Sequence, residues 1–246
     1  MAKTYEPDAA IELYDEVNID YEHVYGNNQL KIRCIDKIIS MLRPGSSQAL
    51  DVGCGTGVPI AQMLARAGLK VVGIDISPKM VSLAAERVKE GSFIVADLAH
   101  WEPDTPFDAV LVMFCHLQMN YATVHAMFYK YACALSPNGL LAVGQCPADY
   151  YIQTKAEAAA YDETRTYAER CNIPFWGKPS QDFAMSLVGQ RRFLESMGLE
   201  IVDEVVDVFR PNNPTFDPEY QQYIIARRPG ERPISTPQPL PKEEQS

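Results

Sequence analysis

The residues whose types and spacing best suit chemistry are three glycines, two acids and a histidine. Gly53, Gly55 and Gly57 recur at every second position of Asp51-Val52-Gly53-Cys54-Gly55-Thr56-Gly57, directly after the apolar pair Ala49-Leu50. Lacking a Cβ, glycine takes φ angles closed to other residues and lets a ligand approach the backbone. Where such a turn opens a helix, unpaired N–H groups point at whatever lies above it. Asp75 closes the next apolar run, about twenty residues beyond the first glycine, and a carboxylate there can accept hydrogen bonds from both hydroxyls of a ribose. The plainer alternative for Asp75 is an acid ahead of a helix, because Ser77-Pro78 is a helix start. Asp97 closes the run after that. His116 follows a fourth run, and its ordinary pKa suits proton transfer near neutrality. Its alternative is a structural histidine.

These side chains need strands to carry them and helices to return the chain between strands. Runs at Ala49–Val52, Lys70–Asp75, Ser92–Ala96, Phe107–Met113 and Leu140–Gly144 read as strands one to five. Helices are expected at Val58–Ala67, from Pro78 to about Lys89, and at Tyr121–Leu135, each with apolar residues at helical spacing. Ahead of the glycine turn, Ala9–Val17 and a segment presenting Leu30, Cys34, Ile35, Ile38 and Leu42 also read as helical. After Pro147 the alternation breaks: Lys155–Arg170 reads as an Ala-, Glu- and Tyr-rich helix, followed by the aromatic loop Ile173–Pro179. Leu187–Met197 is the last helix. Two strands follow it, Leu199–Phe209 and Tyr220–Arg227, joined by a turn at Pro211–Pro214 with no helix between, so they form an antiparallel hairpin at the sheet edge. From Pro229 the Pro-, Ser- and charge-rich tail has no apolar pattern and reads as disordered.

The totals exclude several classes. With 246 residues, 47% of them hydrophobic, the chain is long enough for one α/β domain with an appendage. A net charge of −10 with no basic run argues against a nucleic-acid partner. No stretch approaches the length of a membrane span, and Met1–Glu6 lacks the apolar core of a signal peptide. The six cysteines are dispersed, with no C-x-x-C pair, and read as reduced core residues. No His, Asp or Glu cluster has metal-ligand spacing, so no metal is expected. The expectation is a cytoplasmic monomer or homodimer acting on a small-molecule substrate.

The glycine spacing narrows the ligand. Dinucleotide-binding turns want G-x-G-x-x-G, but here Gly57 comes one position early and Val58 stands where glycine or alanine belongs. A Tyr-x-x-x-Lys pair is also missing, which disfavours a nicotinamide-dependent oxidoreductase. Asp51–Gly57 instead resembles the first motif of class I S-adenosylmethionine-dependent methyltransferases, and the whole chain resembles the small-molecule type of the ubiquinone- and menaquinone-biosynthesis group. Phe114-Cys115-His116-Leu117 is similar to the Phe-x-His-Leu end of strand four in such enzymes. Ser136-Pro137-Asn138-Gly139 resembles their Pro-Gly-Gly turn, with Asn138 for the first glycine. The Asn-Pro-Pro-Tyr motif of base and glutamine methylases is absent, as is the double-Glu loop of arginine methyltransferases.

The resemblance implies a Rossmann-like three-layer α/β sandwich, with a mostly parallel seven-stranded sheet ending in that hairpin. It implies a helical cap at 1–45, a methyltransferase domain at 46–228 with a substrate-lid insertion at 148–180, and a tail at 229–246. Asp51, Gly53, Cys54, Gly55, Gly57, Asp75, Ile76, Met80, Asp97, Leu98 and Phe114 are the expected S-adenosylmethionine contacts. Asp97 would meet the adenine amine, which offers only donors, while Ile76 and Met80 would wall the ring or else pack in the core. Tyr21 and Tyr25 would roof the pocket. With Tyr151, Phe175, Trp176 and His116 they would hold a flat, apolar acceptor, His116 serving as base for methyl transfer to oxygen or nitrogen. The rival expectation is a methyltransferase-like protein that binds the cofactor without transferring its methyl group.

Overall fold

The computed structural model describes residues 5–176, 180–213 and 215–242. Two helices come first, α1 (Pro7–Tyr25) and α2 (Gln29–Met41). Helix α1 is longer than the periodicity predicts, because it continues past a break at Asn18, whose backbone is non-helical at φ 20°. Helix α2 starts where the Asn28 side chain accepts hydrogen bonds from the N–H groups of Leu30 and Lys31, the usual N-cap arrangement. Then the chain alternates: β1 (Gln48–Val52), α3 (Ile60–Arg66), β2 (Lys70–Asp75), α4 (Pro78–Arg87), β3 (Ser92–Val95), β4 (Phe107–Met113), α5 (Tyr121–Cys133) and β5 (Leu135–Gln145). The hairpin β6 (Tyr167–Asn172) and β7 (Gln181–Met185), helix α6 (Leu187–Ser196), and strands β8 (Glu200–Phe209) and β9 (Glu219–Arg227) complete it.

The main sheet has seven strands in the order β3-β2-β1-β4-β5-β9-β8. Strands β1 to β5 are parallel, and β9 runs antiparallel to both β5 and β8. The strand order reverses between β1 and β4, so a crevice opens at their carboxyl ends, where α/β sheets bind ligands. Alternation along each strand splits the core in two. Leu50, Val52, Val110 and Val112 pack with α5 and α6, whereas Ala49, Ala109 and Leu111 pack with α2 and α3. This is the predicted Rossmann-like sandwich with its terminal hairpin.

Two expectations are corrected. The helix expected over Lys155–Arg170 is a short 3-10 turn at Glu157–Ala160 followed by β6, which pairs with β7 in a separate two-stranded sheet. Asp162 is the reason. Its Oδ1 accepts hydrogen bonds from the Thr166 and Tyr167 N–H groups at 2.6 and 2.9 Å, and its Oδ2 from Thr164 N–H at 2.9 Å. A side chain that satisfies backbone donors locally competes with the helix. The tail expected to be disordered is ordered through Lys242 and lies along α5 and α6. Ser235 N–H donates to Met197 O at 3.0 Å, the His125 ring donates to Pro237 O at 2.9 Å, and Tyr121 donates to Pro239 O. A polar composition argues against an independent core but leaves docking onto another element open. Parts of four expected segments lie outside the described residues: Met1–Thr4 of the cap, Gly177–Pro179 of the aromatic loop, Pro214 of the hairpin turn, and Glu243–Ser246 of the tail.

Candidate functional site

The glycine turn rises from β1 and folds over β2. Gly53 and Cys54 N–H groups donate to Ile74 O at 2.8 and 2.9 Å. Gly55 N–H donates to Asp75 Oδ2 and Ser77 N–H to Oδ1, both at 2.9 Å, so the carboxylate is clamped beneath the turn. Burial raises the Asp75 carboxyl above the ordinary range, and those two N–H groups oppose the shift. The glycines serve different ends. A Cβ on Gly53, at φ +72°, would lie 2.3 Å from Cys115 Cβ, whereas a Cβ on Gly55, at φ +51°, meets nothing within 4 Å. Gly53 is therefore demanded by the packing of the β4 loop, and Gly55 faces open space where a ligand can lie against the backbone.

That space is a cavity at the carboxyl ends of β1, β2 and β4, the place where α/β sheets bind ligands. Gly53, Gly55, Asp75, Ile76, Met80 and Leu98 form its floor. Tyr5, Tyr14 and Tyr21 close it from the α1 side, and Phe114, Cys115 and Met119 from the β4 loop. Helix α1 is tied to each cofactor-side loop in turn. Tyr5 OH, just before it, donates to Asp97 at 2.8 Å, Ser77 OH donates to Asp15, and Thr56 OH and the Arg87 guanidinium both reach Glu22.

Other expected contacts stand back from the cavity. Asp97 flanks it, accepting from Ala99 N–H at 2.9 Å, His100 Nδ1 at 2.8 Å and Tyr5. Burial opposes its charge, but these three donors outweigh burial and hold its carboxyl below the usual range. Cys54 is buried, and Gly57 is turned toward α4, its missing Cβ 3.2 Å from that of Ala84. Asp51 is fully buried on the α2 face, and burial pushes its carboxyl up to about 7 against the pull of the Lys31 ammonium.

His116 lines neither of the site's chambers. Phe114 has a left-handed backbone, φ 62°, which re-aims the loop so that Phe114 and Cys115 face the cavity while His116 enters the core. Its ring lies edge-on to Phe128 and Phe183, at 5.4 and 6.3 Å between centroids, and neither nitrogen has a hydrogen-bond partner among the described residues. Burial lowers its pKa to about 4. The expected base is a structural histidine.

A second chamber adjoins the first and shares Tyr14, Tyr21, Phe114 and Gln118 with it. Phe175 and Tyr25 line it. Trp176 does not. Its own left-handed backbone (φ 54°) turns it onto Phe216, 5.0 Å away between ring centroids. Tyr151 lines a separate outer cavity. Sequence reasoning missed the polar wall of this chamber, made of Asn28, Lys31, Asp182, Glu219 and Gln221. Signals for it existed. Lys31 interrupts the buried stripe of α2 at helical spacing with Cys34, Ile35 and Ile38, and Glu219, Gln221 and Tyr223 share one face of β9. Tyr14 and Tyr21 likewise stand seven residues apart on α1.

Fold and site thus define a Rossmann-like α/β protein with a cavity at the switch point of its sheet. Residues 49–139 match the methyltransferase domain family. Demethylmenaquinone methyltransferase from Tropheryma whipplei (strain Twist) is 32% identical over 135 residues, 54% of each chain. The chain thus spans about half the length of the curated relatives it matches. Among solved structures, magnesium protoporphyrin IX methyltransferase from Synechocystis PCC 6803 with bound S-adenosylmethionine superposes with a TM-score of 0.60 at 19% identity, covering 90% of this chain and 96% of that one. The cyclase SpnF reaches a TM-score of 0.65 at 20% identity, covering 93% and 99%. Over residues 49–139 the chain is thus similar to methyltransferase domains, and the solved structures share its fold.

Proposed function

We propose that this protein binds S-adenosylmethionine in the first cavity and transfers its methyl group to an oxygen or nitrogen of a small, flat organic acceptor held in the second. The observation that carries this reading is the pair of adjoining chambers, which share Tyr14, Tyr21, Phe114 and Gln118 among their lining residues. The residues fit the cofactor. Asp75 offers carboxylate lone pairs to a ribose, Ile76, Met80 and Leu98 offer apolar faces to a base, and Gly55 leaves room for the amino-acid portion. Bound S-adenosylmethionine supplies a methyl group already activated on a sulfonium. The chain's task is then alignment and dryness. Aromatic rings of α1 and the β6–β7 insertion exclude water, and the shared wall orients the acceptor toward the donor.

Calorimetry with S-adenosylmethionine and with NAD tests the first half: heat is expected for S-adenosylmethionine alone, and tight NAD binding would overturn the assignment. Asp75→Ala should weaken S-adenosylmethionine by about 1–3 kcal/mol, and unchanged affinity would remove Asp75 from the site. A metabolite screen with a labelled methyl donor tests the second half. Binding without any labelled product would favour a cofactor-dependent protein that does not transfer, a fate consistent with a cyclase sharing this fold.

A further inference from the structure

Two carboxylates line the acceptor chamber, Asp182, which accepts from Ser180 OH at 2.9 Å, and Glu219, which is fed by a chain of donors. Tyr25 OH donates to Glu219 Oε1 at 2.9 Å and Gln221 Nε2 donates to Oε2 at 2.9 Å. Gln221 is itself oriented, because its Oε1 accepts from Asn28 Nδ2 at 2.7 Å and from Tyr223 OH at 2.8 Å. Every donor in this network leads toward Glu219. A carboxylate has about four acceptor positions, so two remain after these bonds. Glu219 also borders the outer cavity beside Tyr150 and Tyr151, which gives a proton gained inside a way to solvent. Lys31, buried on the same wall, lies over the Phe114 ring at 5.5 Å from its centroid, with Asp51 and Glu219 as its charged neighbours. Burial lifts the Glu219 carboxyl, while the Gln221 and Tyr25 hydrogen bonds and then the Lys31 ammonium oppose that lift; burial lowers Lys31 itself, and Asp51 and Glu219 oppose that shift.

We infer that Glu219 is the base of the transfer and Lys31 its electrostatic partner, and that the acceptor is a planar phenol or enol methylated on oxygen. This rests on the methyltransferase reading of the two chambers. Aromatic rings of Tyr14, Tyr21 and Phe175 suit a flat body, an anionic carboxylate accepts from an O–H, and an ammonium stabilises the negative charge that develops on that oxygen. Glu219 takes the hydroxyl proton as the acceptor oxygen forms its bond to the methyl carbon. The carbon–sulfur bond of the sulfonium donor breaks in the same step, its electron pair staying on sulfur as a neutral thioether. Glu219 then releases the proton through the outer cavity.

The test uses the full chain saturated with S-adenosylhomocysteine and titrated calorimetrically with 2-naphthol and 2-methylnaphthalene. Naphthol should bind about tenfold more tightly. Glu219→Gln and Lys31→Met should each weaken naphthol about tenfold while leaving S-adenosylhomocysteine affinity unchanged. With labelled S-adenosylmethionine, Glu219→Gln should lower kcat for naphthol roughly a hundredfold without changing the donor KM, and Glu219→Asp should recover part of the rate. Equal binding of the two naphthalenes, unchanged naphthol affinity and kcat in Glu219→Gln, or faster methylation of 2-naphthylamine overturns the inference and leaves the methyltransferase reading standing. Failure of the unaltered protein to bind S-adenosylhomocysteine overturns that reading, and this inference with it. Should Glu219→Gln lose S-adenosylhomocysteine binding through misfolding, Lys31→Met decides.

Discussion

Neither ring nitrogen of His116 meets a partner among the described residues, and its surroundings are Phe128 and Phe183. Such a site favours the neutral ring, which is why the pKa falls from 6.5 to about 4. The unfolded chain therefore takes up a proton at higher pH than the folded one. The contribution of His116 to stability is complete above about 6.5 and is lost as pH falls toward 4. At pH 5 the loss is on the order of 2 kcal/mol. Thermal melts of His116→Leu should accordingly show a flatter acid limb than the unaltered protein, with methyl transfer retained. A variant as acid-sensitive as the parent, or one without turnover, would contradict the structural role. Burial also explains why residue type misled here. A histidine at a strand end has the right pKa for a base only while solvent or a charged partner reaches it.

Helix α1 acts on the site as one element. Its ties run to the glycine turn through Glu22 and Thr56, to the start of α4 through Asp15 and Ser77, and, from Tyr5 just ahead of it, to Asp97. Each is a side-chain hydrogen bond to a carboxylate, worth about 1.5–3 kcal/mol, and all close over the same cavity. The double variant Asp15→Asn, Glu22→Gln should raise the rate of S-adenosylhomocysteine release about tenfold, measured by stopped flow. Its melting temperature without ligand should move little, because the ties hold a roof and not the sheet. Equal release rates would mean that α1 does not retain the cofactor. Strand β9 shows the complementary case. Its alternation sends Glu219 and Gln221 toward the acceptor chamber, while Ile224 and Ala226 enter one core cluster and Ile225 the other.

Across the whole molecule, the two chambers share the end of the sheet where β1 and β4 diverge, and the tail lies on the α5–α6 side. Ile234 packs against the core there, and Tyr121, His125 and Met197 bind tail backbone. Truncation after Arg232 should lower the thermal stability by about 1–3 kcal/mol through loss of these bonds. Affinity for S-adenosylmethionine should stay the same, and an unchanged melting temperature would show that the tail contributes nothing.

The α/β class, the strand order's closing hairpin and the glycine cradle were all legible in the residues alone, because periodicity, turn glycines and helix starts are local properties of the chain. Gly53, Gly55, Asp75, Ile76, Met80, Leu98 and Phe114, which the resemblance grouped as cofactor contacts, line one cavity. Only the tertiary structure decided which side chains enter the acceptor chamber. Single left-handed residues at Phe114 and Trp176 reset the direction of the chain, and they turned His116 and Trp176 away. Local side-chain bonding by Asp162 replaced a helix with a strand. The chamber's polar wall joins Asn28 to Gln221, 193 positions apart. No window of sequence spans that distance, and only packing α2 against β9 brings the Glu219 carboxylate and the Lys31 ammonium to the same chamber.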